Sequence, residues 1–115
     1  MTQPAYDEDT ENILSRVREV AAKDILFLPH AINQMNSPER MISTREARAV
    51  IFYGVVVEDY PEDMRGHSCL MLGQGDRGRP IHIVCSPKPD YLAVITAYLP
   101  DLEQWESDWR TRRAR

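Results

Sequence analysis

The chain has 115 residues, enough for one domain with a modest hydrophobic core. It is 43% apolar and 28% charged, and no stretch reaches the ~20 apolar residues of a membrane span; the acidic opening MTQPAYDEDTEN also argues against a signal peptide. A net charge of -4 weighs against a nucleic-acid partner, and two cysteines, Cys69 and Cys85, are too few for a disulfide framework and read as free thiols in a reducing cytoplasm.

The charge is unevenly spread. Asp7, Glu8, Asp9 and Glu11 account for the whole acidic excess, and residues 1–9 read as a disordered acidic lead-in to a single domain over residues 10–115. Ile13, Val17, Val20 and Ala21 recur at helical spacing and predict a first amphipathic helix to about Ala22. Ile25–Phe27 is a short apolar run, either a brief strand or a packed connector, and His30 to Asn36 reads as a short helix. After the turn NSPER, Ser43 and Glu46 match a capping box. They open a helix with Ala47, Val50 and Ile51 on one face, ending at Gly54.

From Val55 the period changes. Val55–Tyr60, Ser68–Gly73, Pro80–Cys85 and Leu92–Tyr98 read as four strands, separated by turn-forming residues that include GQGDRGR and SPKPD. Asp101 with Gln104 offers a second capping box, with Leu102, Trp105 and Trp109 on one face of a C-terminal helix. Short turns demand antiparallel neighbours. The expected fold is therefore α+β: N-terminal helices on a four-stranded, mainly antiparallel sheet, followed by a C-terminal helix.

Alternation along a strand puts Ile81, Ile83 and Cys85 on one face and His82 with Val84 on the other. In the last strand it puts Ala93, Ile95 and Ala97 together, opposite Leu92, Val94, Thr96 and Tyr98. Pairing across SPKPD would bring His82 near Thr96 or Tyr98, as a small polar cluster or simply as a half-exposed sheet face. His82 and Cys85 point to opposite faces, so a zinc site is not expected, and no cofactor is implied. His67 reads as a surface residue, and Glu58, Asp59, Glu62 and Asp63 as a solvated strand end. Arg40, Arg45 and Arg48 flank the capped helix, Arg77 and Arg79 stand on the hairpin before His82, and together they could clamp phosphate, with His82 or His30 moving protons. That set suits metal-free RNA cleavage, in which a 2'-hydroxyl attacks the neighbouring phosphate. The basic C-terminus (Arg110, Arg112, Arg113, Arg115) reads as a solvated tail or a phosphate-contacting arm.

In order and spacing, several landmarks resemble a family of small prokaryotic single-domain proteins known as a domain of unknown function. They are His30-Ala31, Arg40-Met41-Ile42-Ser43, Glu58-Asp59-Tyr60-Pro61, Leu72-Gly73, GRPIHIV and ITAYLP. The family is similar in turn to the RelE and ParE toxin folds. The resemblance implies a toxin-type endoribonuclease of the cytoplasm, acting on RNA and neutralised by a small antitoxin protein. Its site would use His30, Arg40, His82 and Tyr98 as catalytic groups, with Thr96 beside the substrate; Arg45 and Arg79, from the phosphate-clamping arginines, would bind substrate with them. The pattern His-Ala-x-x-Arg-Met is broken at Gln34, which lacks the charge to clamp a phosphate. A non-enzymatic protein-interaction module, or an inactive toxin-like domain, is the alternative expectation. The first reading requires an accessible, positive cleft; the second a buried, hydrogen-bonded His82.

Overall fold

A computed structural model describes residues 8–114; most of the acidic lead-in, residues 1–7, lies outside them. Three helices and five strands follow one another in the order α1 (Glu8–Ala21), β1 (Ile25–Phe27), α2 (Pro29–Met35), α3 (Thr44–Tyr53), β2 (Val55–Tyr60), β3 (Ser68–Gln74), β4 (Pro80–Pro87) and β5 (Leu92–Tyr98). The strands form one mixed sheet in the order β1-β5-β4-β3-β2.

This corrects the expected four-stranded sheet. Ile25–Phe27 is a fifth strand, parallel to β5 with Ile25 opposite Leu92 and Phe27 opposite Val94. Its partner lies more than sixty residues away, a distance over which local spacing carries no information. The other pairs are antiparallel, as the short turns demand. The expected C-terminal helix is likewise replaced. Asp101 caps a single turn, taking hydrogen bonds from the Glu103 and Gln104 N–H groups, and the chain then folds back on itself. Trp105 pairs with Arg112 in an antiparallel bridge, and Asp108 caps a second turn through Arg110 and Thr111. Isolated helices of this length are marginal, so one tryptophan drawn onto the sheet outweighs the capping signal.

Helices cover one face of the sheet. Ile13 and Val17 of α1, Ala31 and Met35 of α2 and Val50 and Ile51 of α3 join Met71, Ile81, Ile83, Cys85, Leu92, Val94 and Ala97 in one buried core. Each large aliphatic side chain buried there stabilises the fold by about 1.5–3 kcal/mol. The capping box on α3 forms as read: the Ser43 hydroxyl accepts from the Glu46 N–H, and the Glu46 carboxylate accepts from the Ser43 N–H.

A bulge corrects the alternation expected for β5. Val84 faces Thr96 but Cys85 faces Val94, so Ile95 is the extra residue and the strand changes face there. Leu92 and Val94 consequently join the helix-side core with Cys85, while Thr96 and Tyr98 stay on the His82 side.

The GQG turn is shaped by close approach. A Cβ on Gly73 would lie 2.8 Å from the Val50 Cα, and one on Gly75 would lie 2.3 Å from the Glu46 carboxylate. The absence of side chains lets α3 lie directly on the end of β3.

Candidate functional site

Two polar clusters emerge, one on each side of the sheet. The first locks the hairpin between β3 and β4 to the start of α3. Arg79 donates to both carboxylate oxygens of Glu46 at 3.0 and 2.9 Å, and also to the Arg40 and Met41 carbonyls at 2.7 and 2.8 Å. The buried Glu46 carboxylate further accepts from the Asp76 N–H at 2.7 Å. Its pKa is lowered to about 2, chiefly by the Arg79 hydrogen bonds, against a desolvation that would raise it. Arg79 thus spends its guanidinium on protein acceptors.

The second cluster lies on the opposite face. His82 of β4 is fully buried and stands directly opposite Tyr98 of β5. Its Nδ1 is 3.0 Å from the Tyr98 hydroxyl, and its Nε2 is 2.7 Å from the Trp109 carbonyl. A carbonyl only accepts, so Nε2 carries the proton, and Tyr98 O–H donates to Nδ1 of the neutral ring. Burial pushes the His82 pKa below its ordinary value, against the opposing pull of the Trp109 carbonyl.

Trp105, itself buried, stacks edge-on against the imidazole with ring centres 4.5 Å apart. Arg112 lies over the Trp105 ring at 4.6 Å and makes two hydrogen bonds to Glu58, at 2.7 and 3.0 Å. The Tyr60 hydroxyl donates to the same Glu58 carboxylate. These contacts lower the Glu58 pKa, with Arg112 the main cause; burial raises those of Tyr60, to about 12, and Tyr98. Trp109 supplies its carbonyl from a left-handed conformation, with φ of 60°, that costs a non-glycine residue about 1 kcal/mol.

The sequence-derived residues are therefore split. His82 and Tyr98 are in contact, and Thr96 lies on the same face one pair further along, opposite Val84. His30 is exposed at the start of α2, on the helix side. Arg40 is half-buried in the turn between the core residues Met35 and Ile42, its carbonyl held by Arg79. Arg45 is largely exposed and paired with Asp76 at 3.0 Å. Gln34, the departure from the family pattern, accepts a hydrogen bond from the Ala97 N–H at 3.0 Å, on β5 beyond the end of β1. Arginine has no acceptor and could not make this bond.

Sequence reasoning missed Glu58, Tyr60, Trp105, Trp109 and Arg112. Glu58 and Tyr60 sit two apart and share a strand face, a signal that was available but was read as solvation. Asp59 and Asp63 are also paired rather than free, with His67 and Arg65 respectively. His67, read as a plain surface residue, bridges Asp59 and Arg16. Cys69 and Cys85 are free, buried and directly opposite one another, on the face away from His82. Among the described residues no group of three or more histidines, cysteines or carboxylates could hold a metal ion. Nor is any helix among them long and apolar enough to cross a membrane.

No curated protein and no solved structure matches the chain. A family model, Domain of unknown function (DUF4258), matches residues 27–99, which include His82 and Tyr98 but not Trp105, Trp109 or Arg112. That is more than half of the sequence, and the chain belongs to this family.

Proposed function

We propose that the chain is a non-enzymatic protein-interaction domain, in which the His82 cluster fastens the C-terminal segment to the sheet. The carrying observation is the state of His82: fully buried, with both ring nitrogens hydrogen-bonded. A general acid or base must reach the proton it transfers, and this imidazole has no free nitrogen to offer. The arginines meant to clamp a substrate are also engaged elsewhere, Arg79 with Glu46 and Arg45 with Asp76.

A surface for a partner lies on the helix side. Phe27, Ile32, Met35 and Ile42 line an apolar groove of about 320 Å³, in which Ile32 is 44% exposed. A small protein laying apolar side chains into this groove fits it, and an antitoxin-like partner is of that kind. The free, facing Cys69 and Cys85 suit a reducing cytoplasm.

The test has two arms. Structured and single-stranded RNA in EDTA should remain intact with the purified protein, and a small protein should copurify stoichiometrically from the native host and be lost with Ile32→Asp. Cleavage by the unmutated protein that disappears in His82→Ala would overturn the proposal.

A second reading, a metal-independent endoribonuclease of the RelE and ParE type, is favoured by one observation. Glu58, Tyr60, His82, Tyr98 and Arg112 gather on the sheet face away from the helices, and all have shifted pKa values. A carboxylate, an imidazole, phenols and a guanidinium are the groups such a reaction needs. This reading requires His82 to be uncovered before it can act.

A further inference from the structure

The segment that buries His82 meets the sheet through a small set of directed interactions around one buried ring, Trp105. Its own backbone bonds are mostly internal: Glu106 N–H to the Thr111 carbonyl, Trp109 N–H to the Glu106 carbonyl and Arg113 N–H to the Gln104 carbonyl. The Arg113 guanidinium likewise donates to the Leu102 carbonyl within the segment. Among the described residues, the directed interactions that reach the sheet include the Trp105 ring on His82, the Trp109 carbonyl on His82, and the Arg112 guanidinium on Glu58 beside Tyr60. Trp105 is buried, yet it stands apart from the helix-side core that holds the three helices to the sheet.

We infer that residues 101–113 form a strap that lifts off as a unit while the domain beneath stays folded, baring an acid–base face made of Glu58, Tyr60, His82 and Tyr98. This goes beyond the interaction reading and supplies the opening on which the ribonuclease reading depends. With the strap in place His82 is closed off by its own chain while Glu58, Tyr60 and Tyr98 are half-buried, so a partner or substrate must compete with Trp105 and Arg112 to reach the imidazole. Arg112 is the latch, because it holds Glu58 of β2 and covers Trp105 at the same time. The charged and titratable groups meeting here are Glu58 and Tyr60 from β2, His82 from β4, Tyr98 from β5, and Asp101 and Arg112 from the strap.

Lifting the strap exposes the His82 ring without breaking a backbone bond of β4, so the two events separate experimentally. The full chain is treated with diethyl pyrocarbonate at neutral pH, with modified histidines located by mass spectrometry. Exchange of the β4 amides is followed in parallel, and exposed His30 serves as the reagent control. Relative to exposed His30, modification of His82 should be slowed at least about tenfold less than exchange of the β4 amides is slowed relative to unprotected amides. Arg112→Gln should raise the His82 rate by about a further tenfold, leaving β4 exchange unchanged; half-exposure of the guanidinium keeps the effect modest. Both tryptophans of the chain lie in the strap, so its release in this variant should also shift their emission to the red. Equal protection of His82 and the β4 amides, each against its own unprotected reference, would overturn the inference, because the strap would then leave only on global unfolding. An Arg112→Gln effect that accelerated β4 exchange equally would overturn it too. RNA cleavage is not read in this experiment, so the strap and the ribonuclease reading fail separately.

Discussion

His82 and Trp109 are joined across 27 residues of chain by a 2.7 Å hydrogen bond from the imidazole to a backbone carbonyl. The bond requires a proton on Nε2, burial rather than the bond keeps the ring neutral, and the carbonyl comes from a residue in a left-handed conformation. It ties the state of one histidine to the position of the whole C-terminal segment.

Stability should consequently depend on pH through His82. Burial lowers its folded-state pKa below the unfolded value of about 6.5, so in acid the folded state binds fewer protons than the unfolded state. The contribution of neutral His82 is fully present above about pH 6.5 and is lost as pH falls below it. The urea midpoint should be lower at pH 5.5 than at pH 7.5. The difference should vanish in His82→Gln, and its persistence there would assign the effect to another group.

Glu46 acts in a lower pH range. Its folded-state pKa of about 2 lies below the unfolded value of about 4.5, so its stabilisation is complete above that value and lost as pH falls from there towards 2. Glu46→Gln should cost about 3 kcal/mol at neutral pH, because Arg79 and the Asp76 N–H lose a charged acceptor. Thermal unfolding at pH 7 and 3 measures both effects; equal losses for Glu46→Gln at the two pH values would contradict the assignment.

Gln34→Arg should destabilise rather than restore function. Removing the acceptor from the Ala97 N–H should cost about 1–2 kcal/mol and speed exchange of that amide about tenfold or more. Gln34→Glu keeps an acceptor and should retain most of the protection. Unchanged Ala97 exchange in Gln34→Arg would show that the bond is dispensable.

Gly73→Ala should cost about 2 kcal/mol or more, since the added methyl meets the backbone of Val50 at 2.8 Å instead of a flexible side-chain end. The reading is a lowered urea midpoint with α3 displaced. A neutral substitution would mean that α3 does not pack as closely as described.

The fold was legible where local signals and tertiary packing agree. Ser43, Glu46 and Gly54 bounded α3 from sequence because capping is a local interaction, and the four strands from Val55 to Tyr98 were bounded by prolines and glycines. Failures came from long-range terms. The β1–β5 pairing joins distant residues, and the bulge at Ile95 depends on the register between β4 and β5. The capping signal at Asp101 was real but local, and it was overridden by Trp105 packing on His82. In the site, alternation brought out the contact between His82 and Tyr98. It could not reveal that a segment from outside the sheet supplies Trp105, Trp109 and Arg112, or that Arg40 and His30 belong to the other face.

The most direct test is nitrogen-15 NMR of the His82 ring through a pH titration. A neutral Nε2–H tautomer is predicted, with a pKa below 6.5 and a slowly exchanging ring proton coupled to the Trp109 carbonyl. An imidazole that titrates at or above 6.5 with a rapidly exchanging proton would contradict the account, because His82 would then be open to solvent and free to act on a substrate.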